Sequence, residues 1–315
     1  MAWRIALCGA AHPHLRDVLQ AIRQAPDVTL AGVWDHDAAR AGAVAEAAGV
    51  EIRDPADPAV RPDGVVVLSE TRRHAGDIRR LLPLGVPLFV EKPFALAEEA
   101  EGLAATIAAS GVPFHTGHFL RETPGFRALQ DRLAGGRLGR VLTARVRFRH
   151  DGLLAGWIDP GDWIAQPDES GMGGFGDLGL HALDLLHWLG LGPLSVRSAT
   201  LVRLTGRTGC DDHGVAVLAG RDGLIASVEA GWAAPPGGAG FAFELTTEAA
   251  SVDLSEGQLR LSGAEGPQQL GAVEAAPILA LGPFLDTLRG GPPERLIAPE
   301  DALAAIRLTA EAYRR

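Results

Sequence analysis

The feature that most narrows the fold is an alternation, over roughly the first 120 residues, of short apolar runs with stretches of helical period. Residues 4–8, 28–34, 64–68, 87–90 and 113–115 read as strands, and 64–68 is the run Gly-Val-Val-Val-Leu with no polar position. Residues 14–24, 38–48, 74–82 and 96–110 between them read as helices. Strands that alternate with helices and are apolar throughout make a parallel sheet covered on both faces. The expectation is an α/β Rossmann domain, a doubly wound parallel sheet with its ligand at the carboxyl ends of the strands.

Beyond residue 119 the pattern changes. A helix at 123–133 precedes a half-exposed strand at 140–149, whose arginines 145, 147 and 149 fall on one face. Further strands read at 195–204, 214–218, 224–232, 241–246 and 251–254, separated by glycine-rich turns. A chain of 315 residues is long for one core. Two domains are expected, 1–119 for a dinucleotide and 120–315 for substrate binding and oligomerisation.

The first strand-to-helix turn is Gly9-Ala10-Ala11-His12-Pro13-His14, where G-x-G-x-x-G binds a pyrophosphate. Only its first glycine is present; Ala11 and His14 take the other two positions. Asp35 ends the second strand, where a carboxylate can accept from the adenosine ribose hydroxyls and repel a 2′-phosphate. It could equally cap the helix that follows. Ser69, Thr71 and His74 follow the third strand, and Glu91 and Lys92 the fourth, at the same sheet edge as Gly9. An ammonium at Lys92 could hold a substrate hydroxyl or stabilise a developing alkoxide. His12 and His14 line the phosphate turn or support it; without a nearby thiolate they make a poor ligand set, and no metal is expected.

Gly171-Met172-Gly173-Gly174-Phe175-Gly176-Asp177 leads into Leu178-Gly179-Leu180-His181-Ala182-Leu183-Asp184. Spacings of four and three residues put Asp177, His181 and Asp184 on one helical face. A carboxylate one turn before an imidazole can fix its tautomer and raise its basicity, as a general base near neutral pH requires. The structural alternative is a capping aspartate and a core histidine. The glycines favour a backbone that something approaches closely. Trp157 and Trp163 lie in the preceding loop, as a cleft lid or as core anchors.

The formal net charge of −10, with no basic run, excludes nucleic acid and anionic membrane as main partners. No apolar stretch approaches bilayer length, and the first strand follows Met1 so closely that no signal peptide is expected. The two cysteines, Cys8 and Cys210, fit a reduced, cytoplasmic protein.

Glu91-Lys92-Pro93, followed about 85 residues later by the glycine-rich Asp177–His181 motif, resembles the glucose-fructose oxidoreductase / inositol dehydrogenase / rhizopine-catabolism family (Gfo/Idh/MocA). Gly117-His118 with Arg121 and Pro124, Leu138-Gly139-Arg140-Val141, Asp211-Asp212-His213 and Ala298-Pro299-Glu300-Asp301-Ala302 extend the resemblance over essentially the whole chain. It implies a second domain of α+β type on a large, mostly antiparallel open sheet. It also implies oxidation of a secondary alcohol of a sugar, polyol or related small molecule with NAD, NADP being the alternative. Carried over, His181 removes the hydroxyl proton, Asp177 orients it and Lys92 holds the reacting oxygen. The cofactor side comprises Gly9, Ala11, His12, Pro13, Asp35, Ser69, Thr71, His74, Glu91 and Lys92; the substrate side comprises His118, Arg121 and Trp163. Asp184 is assigned to structure. Glu70 stands where the family commonly has proline, and Phe119-Leu120 where relatives often carry Asn and Arg. A homodimer or homotetramer through the second sheet is expected. The same fold hosts glycosidases that oxidise a sugar transiently with bound NAD, and non-catalytic nucleotide-sensing regulators; both remain alternatives at this point.

Overall fold

The computed structural model describes residues 2–315, which form two compact units. The first comprises the chain up to His118 together with Ala276–Leu303; the second comprises Phe119–Ala275 and Ala304–Arg315. Sequence reading assigns all of 120–315 to the second domain, yet residues 276–303 return to the first. The helix Leu281–Leu288 brings Phe284 against Phe89 (ring centroids 6.1 Å apart) and into the space above Gly64, where a Cβ would meet it at 2.9 Å. His115 Nε2 donates to the Ala280 carbonyl at 2.9 Å while its Nδ1 accepts from Ile297 N–H at 3.0 Å. These contacts join positions far apart in sequence, and no local pattern announces them.

In the first unit β1 (Trp3–Cys8), β2 (Val28–Trp34), β3 (Gly64–Val67), β4 (Leu88–Val90) and β5 (Phe114–Thr116) form a parallel sheet. Its order is β2-β1-β3-β4-β5. β3, β4 and β5 are buried at every position, as the unbroken apolar runs of β3 and β4 require. The chain leaves β1 toward β2 and then crosses to β3 on the other side. The switch point is therefore at the ends of β1 and β3.

The second unit is an eight-stranded sheet in the order β13-β12-β11-β10-β6-β9-β8-β7. Its strands are β6 (Val141–Arg149), β7 (Ser195–Val202), β8 (His213–Ala219), β9 (Ile225–Gly231), β10 (Gly240–Thr247), β11 (Ala250–Ser255), β12 (Gln258–Gly263) and β13 (Gly266–Ala272). Only β6 and β9 pair in parallel. Ala144 and Val146 turn inward on β6 while Arg145 and Arg147 turn outward, the period-2 pattern of a sheet with one packed face. The helix Gly174–Leu186 lies on the packed face against β9, β6 and β8 and is buried at every position except Asp177.

Candidate functional site

The switch point of the first unit is built around Gly9. Its φ is +83°, and a Cβ there would stand 2.2 Å from the Ser69 nitrogen, so glycine alone lets the two loops meet. The turn beyond is pinned from within. Ala10 N–H donates to Asp35 Oδ2 at 2.6 Å, and Ala11 and His12 N–H both donate to the Leu68 carbonyl at 2.9 Å. The helix Leu15–Gln24 then opens with no side-chain cap. An uncapped helix start at a switch point, with a carboxylate at the end of β2, fits the pyrophosphate and ribose of a dinucleotide despite the missing glycines.

Among the described residues one cluster gathers three potential metal ligands: His12, His14 and Glu91, whose ligand atoms lie within 4.8 Å of one another. The spacing of His12 and His14 did not reveal the third member. Glu91 Oε1 accepts from His14 Nδ1 at 3.0 Å and Oε2 from the Lys92 backbone N–H at 3.0 Å. His12 Nδ1 accepts from His14 N–H at 3.2 Å, which places the His12 proton on Nε2, facing Glu91 Oε2 at 3.9 Å. The hydrogen bonds therefore describe a caged carboxylate. Burial opposes ionisation of Glu91, but His12, His14 and Lys92 outweigh it and hold the acid below its usual range. Burial drives His12 down to about 3, against the pull of Glu91, so it is neutral. Gly117 makes room for the cage, since a Cβ there would stand 2.4 Å from Glu91 Oε2.

Asp35 is more heavily engaged than its position in sequence indicates. Oδ2 accepts from Ala10 N–H and from Arg40 Nε (3.0 Å); Oδ1 accepts from Asp37 N–H (2.7 Å) and Arg40 Nη2 (2.9 Å). Burial acts against its charge, yet the hydrogen bonds from Arg40, Asp37 and Ala10 hold its pKa below the ordinary value. Capping of the next helix falls instead to Asp37, which accepts from Ala39 and Arg40 N–H. Arg40 Nη2 also donates to Glu70 Oε1 at 2.6 Å.

Two residues expected to touch cofactor have other work. His74 is fully buried, its Nδ1 2.8 Å from the Pro93 carbonyl and its Nε2 2.9 Å from the Ser69 carbonyl. It ties the β3 loop to the segment carrying Lys92, and burial lowers its pKa more than the two carbonyls raise it. Ser69 Oγ donates to Asp77 Oδ2 at 2.7 Å. The polar atoms of both side chains face partners within this unit. Thr71 begins the helix Thr71–Leu81, three residues earlier than the sequence indicates, and is buried. Lys92 and His118 are buried as well.

In the second unit Asp177, His181 and Asp184 share the helix Gly174–Leu186. Asp177 Oδ2 accepts from Trp232 Nε1 at 2.8 Å, and His150 Nε2 lies 3.9 Å away. His150 Nδ1 accepts from Gly152 N–H, so its Nε2 carries the proton toward Asp177. The His150 ring packs on Trp157 (4.5 Å) and is parallel to Trp232 within 9°. His150 and Trp232 were not among the expected site residues, whereas Trp157 was named as part of a lid or core anchor; His150 lies one position past the charged β6 strand, a weak signal. Trp163 is half-buried in the short turn Trp163–Ala165. His181 is buried under the rings of Phe119 (4.7 Å) and Phe148 (5.9 Å).

Arg121, expected on the substrate side, is buried and donates to both oxygens of Asp184, Nε at 2.9 Å and Nη2 at 2.6 Å. It anchors the helix below His181. The glycine-rich turn also has an internal cause. A Cβ on Gly173 would stand 2.3 Å from the Asp211 carbonyl, and one on Gly174 2.7 Å from that of Asp212. What approaches this backbone is the Asp211-Asp212 segment. Tyr313 completes the clamp: its hydroxyl accepts from Gly173 N–H (2.7 Å) and Gly176 N–H (3.2 Å) and donates to Asp211 Oδ1 (2.8 Å).

Residues 3–118 match the family described as "Oxidoreductase family, NAD-binding Rossmann fold", and residues 126–260 match the "GFO/IDH/MocA C-terminal domain". The chain belongs to the Gfo/Idh/MocA oxidoreductase family. Inositol 2-dehydrogenase of Rhizobium meliloti (strain 1021) is 31% identical over 180 residues, which span 56% of this chain and 52% of that protein. The chain thus aligns with about half the length of this Gfo/Idh/MocA relative. An oxidoreductase domain protein from Kribbella flavida shares the fold at a TM-score of 0.84 and 22% identity, over 100% of this chain and 97% of that one. Levoglucosan dehydrogenase, solved with NADH and levoglucosan, does so at 0.82 and 18%, over 100% and 98%. In this Gfo/Idh/MocA chain the first unit is the NAD-binding Rossmann fold, and among the described residues no helix is long and apolar enough to cross a membrane.

Proposed function

We propose that this protein transfers a hydride between a secondary alcohol of a sugar, polyol or related small molecule and NAD. The observation that carries the reading is a carboxylate–imidazole pair one turn apart on a buried helix, in a chain of this family. Asp177, fixed by Trp232, is its one partly exposed member. Bound NAD would supply the hydride acceptor, with Gly9, Ala11, Pro13, the start of the helix Leu15–Gln24 and Asp35 holding its phosphates and ribose.

The protein's own part is proton handling and orientation. His181 takes the hydroxyl proton as the carbon is oxidised, Asp177 stabilises the imidazolium that results, and the Lys92 ammonium holds the oxygen. Trp157, about half exposed beside His150, offers an aromatic face for the C–H surface of a sugar. The test is a screen of cyclic polyols and sugars with NAD, followed by the absorbance of reduced nicotinamide. A substrate turned over by the wild type and lost in His181→Ala supports the reading. A confirmed substrate turned over at an unchanged rate by His181→Ala overturns it.

A further inference from the structure

We propose that Glu70, acting through Arg40, selects the unphosphorylated dinucleotide over its 2′-phosphorylated form. The inference rests on the reading of the first unit as an NAD site. An ionised carboxylate offers about four acceptor positions. All four on Asp35 are occupied, two by backbone N–H groups and two by the fork of Arg40. A ribose diol can bind Asp35 only when Arg40 yields at least one of them.

Glu70 gives Arg40 somewhere to go. Its Oε1 already accepts from Arg40 Nη2 at 2.6 Å, and it is buried, so it cannot follow a cation into solvent. Arg40 keeps about 29% side-chain exposure and has room to turn. Arg40 can therefore release Asp35 to the ribose and remain neutralised.

A 2′-phosphate makes the opposite demand. It needs a guanidinium free to pair with it, and its own charge must not face carboxylates. Here Arg40 is held between Asp35 and Glu70, and Arg73 Nε lies 3.2 Å from Glu70 Oε2. Nearby, His36 is bonded to Asp77 at 3.1 Å and Arg80 is paired with Asp54. They line a cavity of about 390 Å³ with Arg72, Arg73 and Asp77. One buried glutamate thus holds Arg40 by a hydrogen bond and draws Arg73 into an ion pair.

The test is equilibrium titration with NADH and NADPH, read by nicotinamide fluorescence and energy transfer from tryptophan, for the wild type, Glu70→Gln and Glu70→Ala. Circular dichroism melts of each variant confirm the fold. The wild type is expected to bind NADH more tightly. Both variants should tighten NADPH and narrow the NADH/NADPH affinity ratio by about tenfold, the weight of one charge-assisted hydrogen bond. Adding Arg40→Ala to Glu70→Gln should abolish the NADPH gain. An unchanged ratio, or equal weakening of both cofactors, overturns the proposal, because loosening of the loop alone would do that. Wild-type preference for NADPH overturns it too. Binding of neither cofactor by the wild type overturns the NAD reading itself, an outcome distinct from an unchanged ratio.

Discussion

Asp177 keeps partial exposure on a helix otherwise buried, and the indole of Trp232 fixes one of its oxygens. Trp232→Phe removes that bond while keeping an aromatic ring, and a hydrogen bond to a charged group is worth about 1.5–3 kcal/mol. We expect kcat to fall by about tenfold with cofactor affinity unchanged, checked by steady-state kinetics beside NADH titration. His181→Ala should lower kcat by about 10²–10⁴-fold, the usual worth of a positioned base. A different kind of test lies at His12. It titrates at about 6.5 when unfolded and about 3 when folded, so unfolding takes up protons between those values. Its contribution is complete above pH 6.5 and is lost as pH falls toward 3; Glu91, also depressed, adds a loss below about 4.5. Urea midpoints should fall with acid, and His12→Asn should flatten the upper part of that fall. The candidate Asp177 and His181 were legible because helical spacing is local information. The hydrogen-bond partners of Arg121, His74 and Ser69 were not, because each is a side chain beyond the local turn or a backbone carbonyl.

At the scale of elements, the turn before the helix Gly174–Leu186 is held by the meeting of three segments. The Tyr313 hydroxyl satisfies two N–H groups and one carboxylate oxygen. Tyr313→Phe leaves those partners unsatisfied and should cost about 1–3 kcal/mol. Calorimetry or urea unfolding would measure it, and no change would show that the clamp does not hold the turn. The parallel sheet was readable because strands buried on both faces are written as unbroken apolar runs. β13 was missed for the opposite reason: Gly266–Ala272 carries two glutamines, three alanine or glycine residues and a proline. It becomes a strand by pairing with β12, not by its own pattern.

For the molecule as a whole, the eight-stranded sheet leaves a face with Val215, Val217 and Ile225 exposed by 40%, 36% and 57% on neighbouring strands. Two of its arginines are matched across strands, Arg145 with Glu244 at 3.9 Å and Arg149 with Glu229 at 3.5 Å. An apolar patch with paired charges beside it suits a second copy of the chain. Light scattering should find a dimer or tetramer that Val217→Glu with Ile225→Glu dissociates; a monomeric wild type would refute this. Whether the first unit holds its cofactor decides more. The most direct measurement is the titration of the purified wild-type protein with NADH, following energy transfer from tryptophan, with NADPH as comparison. The account predicts saturable binding, tighter for NADH. An absence of binding for both would mean that the internally bonded phosphate turn cannot accept a dinucleotide, and would contradict the proposed hydride transfer.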